Sequence, residues 1–339
     1  MRRYWMVSLA ALGLALAGCG GKDGATVKEV EKLTAEKKYD DAMGVLQKAL
    51  RENPKSKALL REQVTLFLRT EQVSYAIAAY RKLSEISEND RILYLAFKNN
   101  DPVVRVTAAK ALGLMKDSQS VDILIEHAGD KERSVRQAIV LALGDLKDKK
   151  ALPVLMNALK DADWFVRAEA ALALGKIGDA KAAERLFELL NDSDSYVKQN
   201  ARKALQELAT EANKSAYVSA LRNSDPAIRS MAAIALASTG DSQGIDVITE
   251  QLERGDSKET GDLIRAAVKL HDPKVVPALR KTVDNPSPNI KALAILALGE
   301  LGDQGSLEKI KKIAADKSQP GNVRTAALLA MNRMGNAPR

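Results

Sequence analysis

Val166-Arg167-Ala168-Glu169-Ala170-Ala171-Leu172-Ala173-Leu174-Gly175-Lys176-Ile177-Gly178-Asp179 decides the fold, because its pattern returns along the chain every 31 residues. Its Ala173 belongs to the row Ala111, Ala142, Ala173, Ala204, Ala235, Ala266 and Ala297, which runs without a slip. A unit of that length holds two short helices and cannot bury an apolar face by itself. It becomes stable by stacking on copies of itself, and alanine marks places where a larger side chain would hold neighbouring helices apart. The expected architecture is therefore all-α, an elongated superhelical solenoid of helix pairs.

Other slots keep the same frame. The first helix of each unit carries Leu93, Leu124, Leu155, Leu186, Tyr217, Ile248, Leu279 and Ile310, and one turn later Ala128, Leu159, Leu190, Leu221, Leu252, Val283 and Ala314. The second helix carries Val104, Val135, Val166, Val197 and Ile228, followed by Leu112, Leu143, Leu174, Leu205 and Leu236. Spacings of this kind put the apolar groups on one helix face, which the stack must bury. Only the last unit is longer, by two residues at Ser318-Gln319-Pro320-Gly321. Strand signals are absent.

The second helix also has a legible start. Asp101, Glu132, Asp163, Asp194, Asp225 and Asp256 share one slot, where a carboxylate can cap free amides and oppose the positive helix end. Pro102 and Pro226 follow directly, at a position where a missing N–H does no harm. Four residues after the acid stands Arg105, Arg136, Arg167, Lys198 or Arg229. With these rows in place, Val166–Asp179 resembles the HEAT repeats of the phycobilin-lyase type, and the resemblance extends over residues 90–335 as about eight units. It implies that Asp101, Glu132, Asp163, Asp194 and Asp225 form a ladder with Arg105, Arg136, Arg167, Lys198 and Arg229 along the stack.

Residues 26–89 read differently. Tyr39-Asp40-Asp41-Ala42 leads to Leu46, Ala49 and Pro54, and the pattern returns after 34 residues in the pairs Val30 and Val64, Leu33 and Phe67, Ala42 and Ala76, Leu46 and Tyr80. This resembles two tetratricopeptide units, although Glu88 stands where the second terminal proline belongs. Two such units are expected to lean on the first HEAT helix at Arg91–Lys98 and close that end of the stack.

The first residues concern location. Arg2 and Arg3 precede the apolar stretch Met6–Leu16, which is too short to span a bilayer, and Leu16-Ala17-Gly18-Cys19 closes it. This resembles a bacterial lipoprotein signal, residues 1–18, cleaved so that Cys19 becomes acylated, with residues 19–25 as lipidated cysteine and linker. Gly20 follows the cysteine where an aspartate would mark retention, so the analogy favours the outer membrane, facing periplasm or exterior. Cys19 is the only cysteine, which excludes a disulfide or thiolate metal site. The formal charge of +8 falls to +6 when Arg2 and Arg3 leave with the leader.

Catalysis finds no support in the pattern. HEAT proteins also include deoxyhypusine hydroxylases, whose resemblance would imply His-Glu pairs binding two irons. Here only His127 and His271 are present, neither followed by glutamate, and both read as polar residues at helix ends. No phosphate loop, nucleophile elbow or zinc cluster appears. The expectation is a monomeric, non-enzymatic scaffold of the envelope without cofactor, metal or nucleic acid, binding other envelope proteins. The alternatives are contact with an anionic envelope polymer or lipid surface, or a HEAT-type enzyme resembling the bilin lyases or deoxyhypusine hydroxylases. Trp164 and Phe165, aromatic where other units carry Pro102, Arg133, Ser195 or Pro226, are candidate partner contacts. So is Met231, near the outward row Leu141, Leu172, Ile234 and Leu296, which is either an exposed apolar stripe or packed inside its unit. Glu259-Thr260-Gly261 breaks the pattern, and Val268 occupies the slot held elsewhere by glycine.

Overall fold

The computed structural model describes residues 21–88, 90–255 and 259–335. The proposed leader, Cys19 and the capping-row Asp256 lie outside them. The described residues are helical hairpins without a strand, in two compact units: one ending at Ile177, the other beginning at Gly178.

The first unit contains α1 (Lys22–Ala35), α2 (Tyr39–Glu52), α3 (Lys57–Arg69), α4 (Val73–Ile86), α5 (Ile92–Leu95), α6 (Pro102–Met115), α7 (Val121–His127), α8 (Arg133–Leu146), α9 (Leu152–Ala158) and α10 (Trp164–Ile177). Its first four helices form two hairpins built alike. Lys37 and Glu71, 34 residues apart, both turn through positive φ, and the amides of Lys38 and Gln72 donate to Leu33 and Phe67 carbonyls at 2.9 Å. Ala42 and Ala76 are fully buried, so the period read from sequence is a period of backbone geometry. The second hairpin rests on α6 as well as on α5, a wider seat than the first HEAT helix alone. Buried Asp90 fastens it there. Its carboxylate pairs with Arg61 at 3.4 Å and Lys57 at 3.6 Å and accepts from the Ile92 amide, while the Tyr80 hydroxyl donates to its carbonyl.

The second unit contains α11 (Ala183–Glu188), α12 (Ser195–Leu208), α13 (Lys214–Ala220), α14 (Pro226–Ser238), α15 (Ile245–Arg254), α16 (Thr260–Leu270), α17 (Val276–Thr282), α18 (Pro288–Glu300), α19 (Leu307–Ala315) and α20 (Gly321–Gly335). Every member of the seven-alanine row is buried, as are Leu93, Leu124, Leu155, Leu186, Tyr217, Ile248, Leu279 and Ile310.

Local chemistry explains why each 31-residue unit breaks where it does. Apart from α12, whose Ala209 keeps φ −71°, the second helices from α6 to α18 end in a left-handed residue: Lys116, Lys147, Gly178, Gly240, His271 or Gly302. Glycine takes that conformation without strain, and the others carry a side-chain cost there. The very next residue, Asp117, Asp148, Asp179, Asp241, Asp272 or Asp303, accepts the amide two residues on and starts a 3-10 turn into the following first helix.

A glycine slot sets how closely second helices approach. A Cβ built on Gly113 would sit 2.9 Å from the Ala142 Cα, on Gly144 3.0 Å from the Ala173 Cα, and on Gly299 2.6 Å from the Ala330 Cα. None of those positions admits a side chain without moving a backbone. Gln206 holds the same slot in α12, is exposed, and α12 touches α14 sparsely.

Candidate interaction surfaces

The capping row works through aspartate. Asp101 accepts the Val103 amide at 3.0 Å, Asp163 those of Phe165 and Val166 at 3.0 and 3.2 Å, Asp194 those of Tyr196 and Val197 at 2.8 and 3.2 Å, and Asp225 that of Ala227 at 2.8 Å. Glu132 corrects the expectation: its side chain caps nothing, since one extra methylene carries the carboxylate past the amides that aspartate reaches.

The ladder is corrected too. The arginines pair with acids two residues before the capping row. Arg105 grips Asp130 through Nε at 2.8 Å and Nη2 at 2.9 Å, and Arg136 grips Asp161 at 2.7 and 2.9 Å. The third guanidinium nitrogen holds the arginine's own inter-helix loop. Arg105 Nη1 donates to the carbonyls of Asn99 and Asn100, Arg136 Nη1 to those of Asp130 and Lys131, Arg167 Nη1 to those of Asp161 and Ala162, and Arg229 Nη1 to those of Asn223 and Ser224. Each such arginine thus staples its own loop, and in Arg105 and Arg136 the fork also reaches the next, a geometry that lysine's point charge cannot reproduce.

Asp130 and Asp161 have a second job, accepting the amides of Glu132 and Asp163 at 2.8 and 2.9 Å. Partial burial pushes both carboxyls up, but the arginine fork and that amide outweigh it and hold them below the ordinary aspartate value. In the second unit Asp192 and Asp316 keep the acid and accept the amides of Asp194 and Ser318 at 2.8 and 2.9 Å, whereas Asn223, Arg254 and Asn285 replace it. Lys198 forms no ion pair among the described residues, and Arg229 reaches only Glu250, at 3.4 Å.

The expected partner contacts divide. Trp164 is 44% exposed, its ring edge-on to half-buried Phe165 at 5.6 Å between centroids. Met231 is only 3% exposed and is therefore a buried residue, not a surface contact. Leu141, Leu172, Ile234 and Leu296 are half-buried, and Ile234 and Leu296 pack on the core of the second unit. The break at Glu259 is where that nearly buried carboxylate meets Arg202 of α12. Gly261 is not demanded by space, since an added Cβ would make ordinary contacts with Leu293 and Ile290 at 3.6 and 3.7 Å. His127 closes α7 with Nδ1 3.0 Å from the Ile123 carbonyl, and His271 is the left-handed residue that ends α16.

One feature escaped the sequence reading. A groove of about 440 Å³ opens among α2, α3 and α4, lined by Tyr39, Met43, Phe67 and Tyr75 with Gln47, Gln63, Thr70 and Gln72 between them. Tyr75 is 62% exposed and stacks on Phe67 at 5.4 Å. The signal that could have found it was the density of aromatic and amide side chains in a chain with so few aromatics. On α3, Glu62 has its carboxyl pushed up to about 7 by burial, with Glu31 adding to the effect and Arg69 opposing it. Among the described residues no group of three metal-capable side chains occurs, and no helix is long and apolar enough to cross a membrane.

The family model for HEAT repeats matches residues 62–140, 89–162, 128–206, 184–261 and 260–332. The chain is a HEAT-repeat protein. Its first match begins within the stretch that resembled tetratricopeptide units. No curated protein matches the sequence. Among solved structures, the karyopherin Kap121p bound to the extreme C-terminus of the protein phosphatase Cdc14p aligns at 12% identity and a TM-score of 0.57, over 96% of this chain and 43% of that one. Kap95p, from a complex with RanGDP, aligns at 14% identity and 0.54, over 82% and 48%. The complex of CpcE and CpcF of phycocyanin lyase from Nostoc sp. PCC7120 aligns at 19% identity and 0.36, over 73% and 97%. At these identities the likeness to the two karyopherins is one of fold alone.

Proposed function

We propose that this HEAT-repeat protein is a non-catalytic scaffold of the bacterial envelope, anchored through an acylated Cys19 and holding a protein partner in the groove of its N-terminal, tetratricopeptide-like hairpins. The groove carries the reading. Aromatic surface that stays exposed, flanked by amide side chains that can satisfy a partner's backbone, is the composition of a protein-binding site. The karyopherins, with which the chain shares its fold, are seen holding protein partners, and that analogy supports the same use here.

Charge distribution favours a protein over an anionic polymer. Basic side chains are interleaved with acids at repeat spacing: Lys150 with Asp122 and Lys176 with Asp145 in the first unit, Lys214 with Asp241, Lys274 with Asp246 and Lys309 with Asp284 in the second. Each of these pairs cancels locally, which works against a uniform cationic track for a polymer to follow.

Two measurements test the reading. Palmitate labelling in a bacterial host should mark the wild type and not Cys19→Ala; equal labelling refutes the anchor. Cross-linking in intact cells from a photoreactive residue at Gln63 should yield a discrete protein adduct that Tyr75→Ala reduces at unchanged melting temperature. Adducts indifferent to Tyr75→Ala, or reduced instead by Trp164→Ala, would move the contact away from the groove.

A further inference from the structure

The groove among α2, α3 and α4 holds more hydrogen-bond donors than its own fold uses. Tyr39, Met43 and Gln47 stand four residues apart on α2, and Tyr75, Ala78 and Lys82 follow at helical spacing on α4, so each helix turns one face to it. Both walls pack on α3, whose Gln63 and Phe67 line the space between them. Among the described residues, the side chains of Tyr39, Gln47, Gln63, Gln72, Tyr75 and Lys82 make no hydrogen bond or ion pair with the chain. All six can donate, and Asp40 is the lone carboxylate among the lining side chains. The Thr70 hydroxyl is already committed, donating to the Leu66 carbonyl at 3.0 Å.

Building on the reading of this groove as a protein-binding site, we infer that its occupant is a proline-rich segment of the partner in the polyproline II conformation. Proline has a carbonyl and no N–H, and a polyproline II helix makes no internal hydrogen bonds, so such a segment is a rod of free acceptors. It complements a groove rich in donors. Tyr75, held by its stack on Phe67 at 5.4 Å with 25° between the planes, and half-buried Tyr39 on the facing wall offer aromatic surface to the pyrrolidine rings. Other peptide conformations match worse. An α-helix spends its carbonyls internally and would strand the three glutamines. A β-strand brings an N–H for every carbonyl, adding donors where donors are already in excess. The polyproline rod is also ordered before it binds, so docking costs it little chain entropy.

The probe is fluorescein-labelled decaproline, titrated into the full chain by fluorescence anisotropy beside a glycine-serine decamer with the same label. Decaproline should saturate and bind about tenfold more tightly than the flexible control. Tyr75→Ala should weaken it about tenfold and Gln63→Ala about threefold. Neither substitution should move the melting temperature, since Tyr75 is exposed and Gln63 has no hydrogen bond with the chain to lose. Absence of saturable binding, or equal binding of the two decamers, overturns the inference. Decaproline binding that both substitutions leave intact overturns it as well, because the peptide then sits elsewhere. Photo-cross-linking from position 63 in isolated membranes separates this inference from the reading beneath it. A partner adduct that depends on Tyr75 but resists excess decaproline keeps the groove as a protein-binding site and refutes the proline-rich segment. No adduct at all, with or without decaproline, refutes both.

Discussion

The helices α6, α8 and α10 of the first unit and α12, α14 and α16 of the second descend from the same pattern and are held together differently. In the first set, Gly113 and Gly144 let backbones meet, and Arg105 and Arg136 bind the next loop through two parallel hydrogen bonds. In the second set, Gln206, Ala237 and Val268 fill the glycine slot, and no aspartate answers Lys198 or Arg229. The second set keeps the buried apolar rows and adds an idiosyncratic pair, Arg202 with Glu259. Burial of small apolar side chains is therefore the common requirement of the stack. Close approach and the arginine fork are additions, and they should make the first set the stiffer one.

The glycine slot offers the largest test. Gly144→Val places a branched side chain against the Ala173 backbone, so α8 and α10 must separate, at about 3 kcal/mol. Gln206→Val, at the same slot but in solvent, should change stability by less than about 0.5 kcal/mol. Hydrogen exchange of the α8 and α12 amides reports each separately, as suits a stack whose stability is a sum of neighbouring terms. Equal effects would mean that the slot does not set the approach.

The arginine row comes next. Arg136→Ala strips Asp161 of two charge-assisted bonds in a partly buried site, for a loss of about 2–3 kcal/mol. Arg229→Ala loses its loop staple and a long, exposed pair, for about 1 kcal/mol. Chemical denaturation of the two variants measures the difference, and similar losses would show the staple, common to both, to be what matters.

Acid separates the two sets without mutation. Asp130 and Asp161 have native pKa values below their unfolded ones, so below neutrality the unfolded chain takes up protons first. The stability these groups add is complete above the ordinary aspartate value of about 3.9 and is lost as pH falls through the lower native value. Exchange protection in α8 should drop across that window more than protection in α14, whose loop carries Asn223 in place of the aspartate. Arg105→Gln should shrink the effect; an unchanged profile would remove the carboxylates from the account.

How much of this the sequence disclosed follows from the kind of interaction. Ala111 to Ala297 and Leu93 to Ile310 are all buried, because a strict period forces every copy into one environment. The row Asp117, Asp148, Asp179, Asp241, Asp272 and Asp303 is periodic too, though Thr210 interrupts it, and a polar residue outside the apolar stripe carries no sign of the turn it starts. The ladder was misassigned by two residues, since Asp130 and Glu132 are both acids near the same turn and only the reach of the arginine fork distinguishes them. Met231 misled because a lone methionine beside an outward row carries no sign of which way it points. The groove at Tyr75 is legible only as a surface, which depends on what does not pack against it. Period discloses cores; it is silent about openings.

The smallest effect isolates that two-residue distinction. Asp163→Ala removes the cap of two α10 amides and should cost about 1 kcal/mol. Glu132→Ala, at the same slot of the preceding repeat, removes a carboxylate that caps nothing and only faces the positive helix end, worth about 0.3 kcal/mol on an exposed surface. Replacing the glutamate by aspartate shortens the side chain by the methylene that keeps it from the amides, so Glu132→Asp should stabilise α8 by about 0.5–1 kcal/mol. Thermal melts of the three variants suffice. A gain from Glu132→Asp would establish that side-chain length alone separates the two capping positions. No gain would mean that Asp130, already accepting the Glu132 amide at 2.8 Å, holds the turn in a shape that a second aspartate cannot improve.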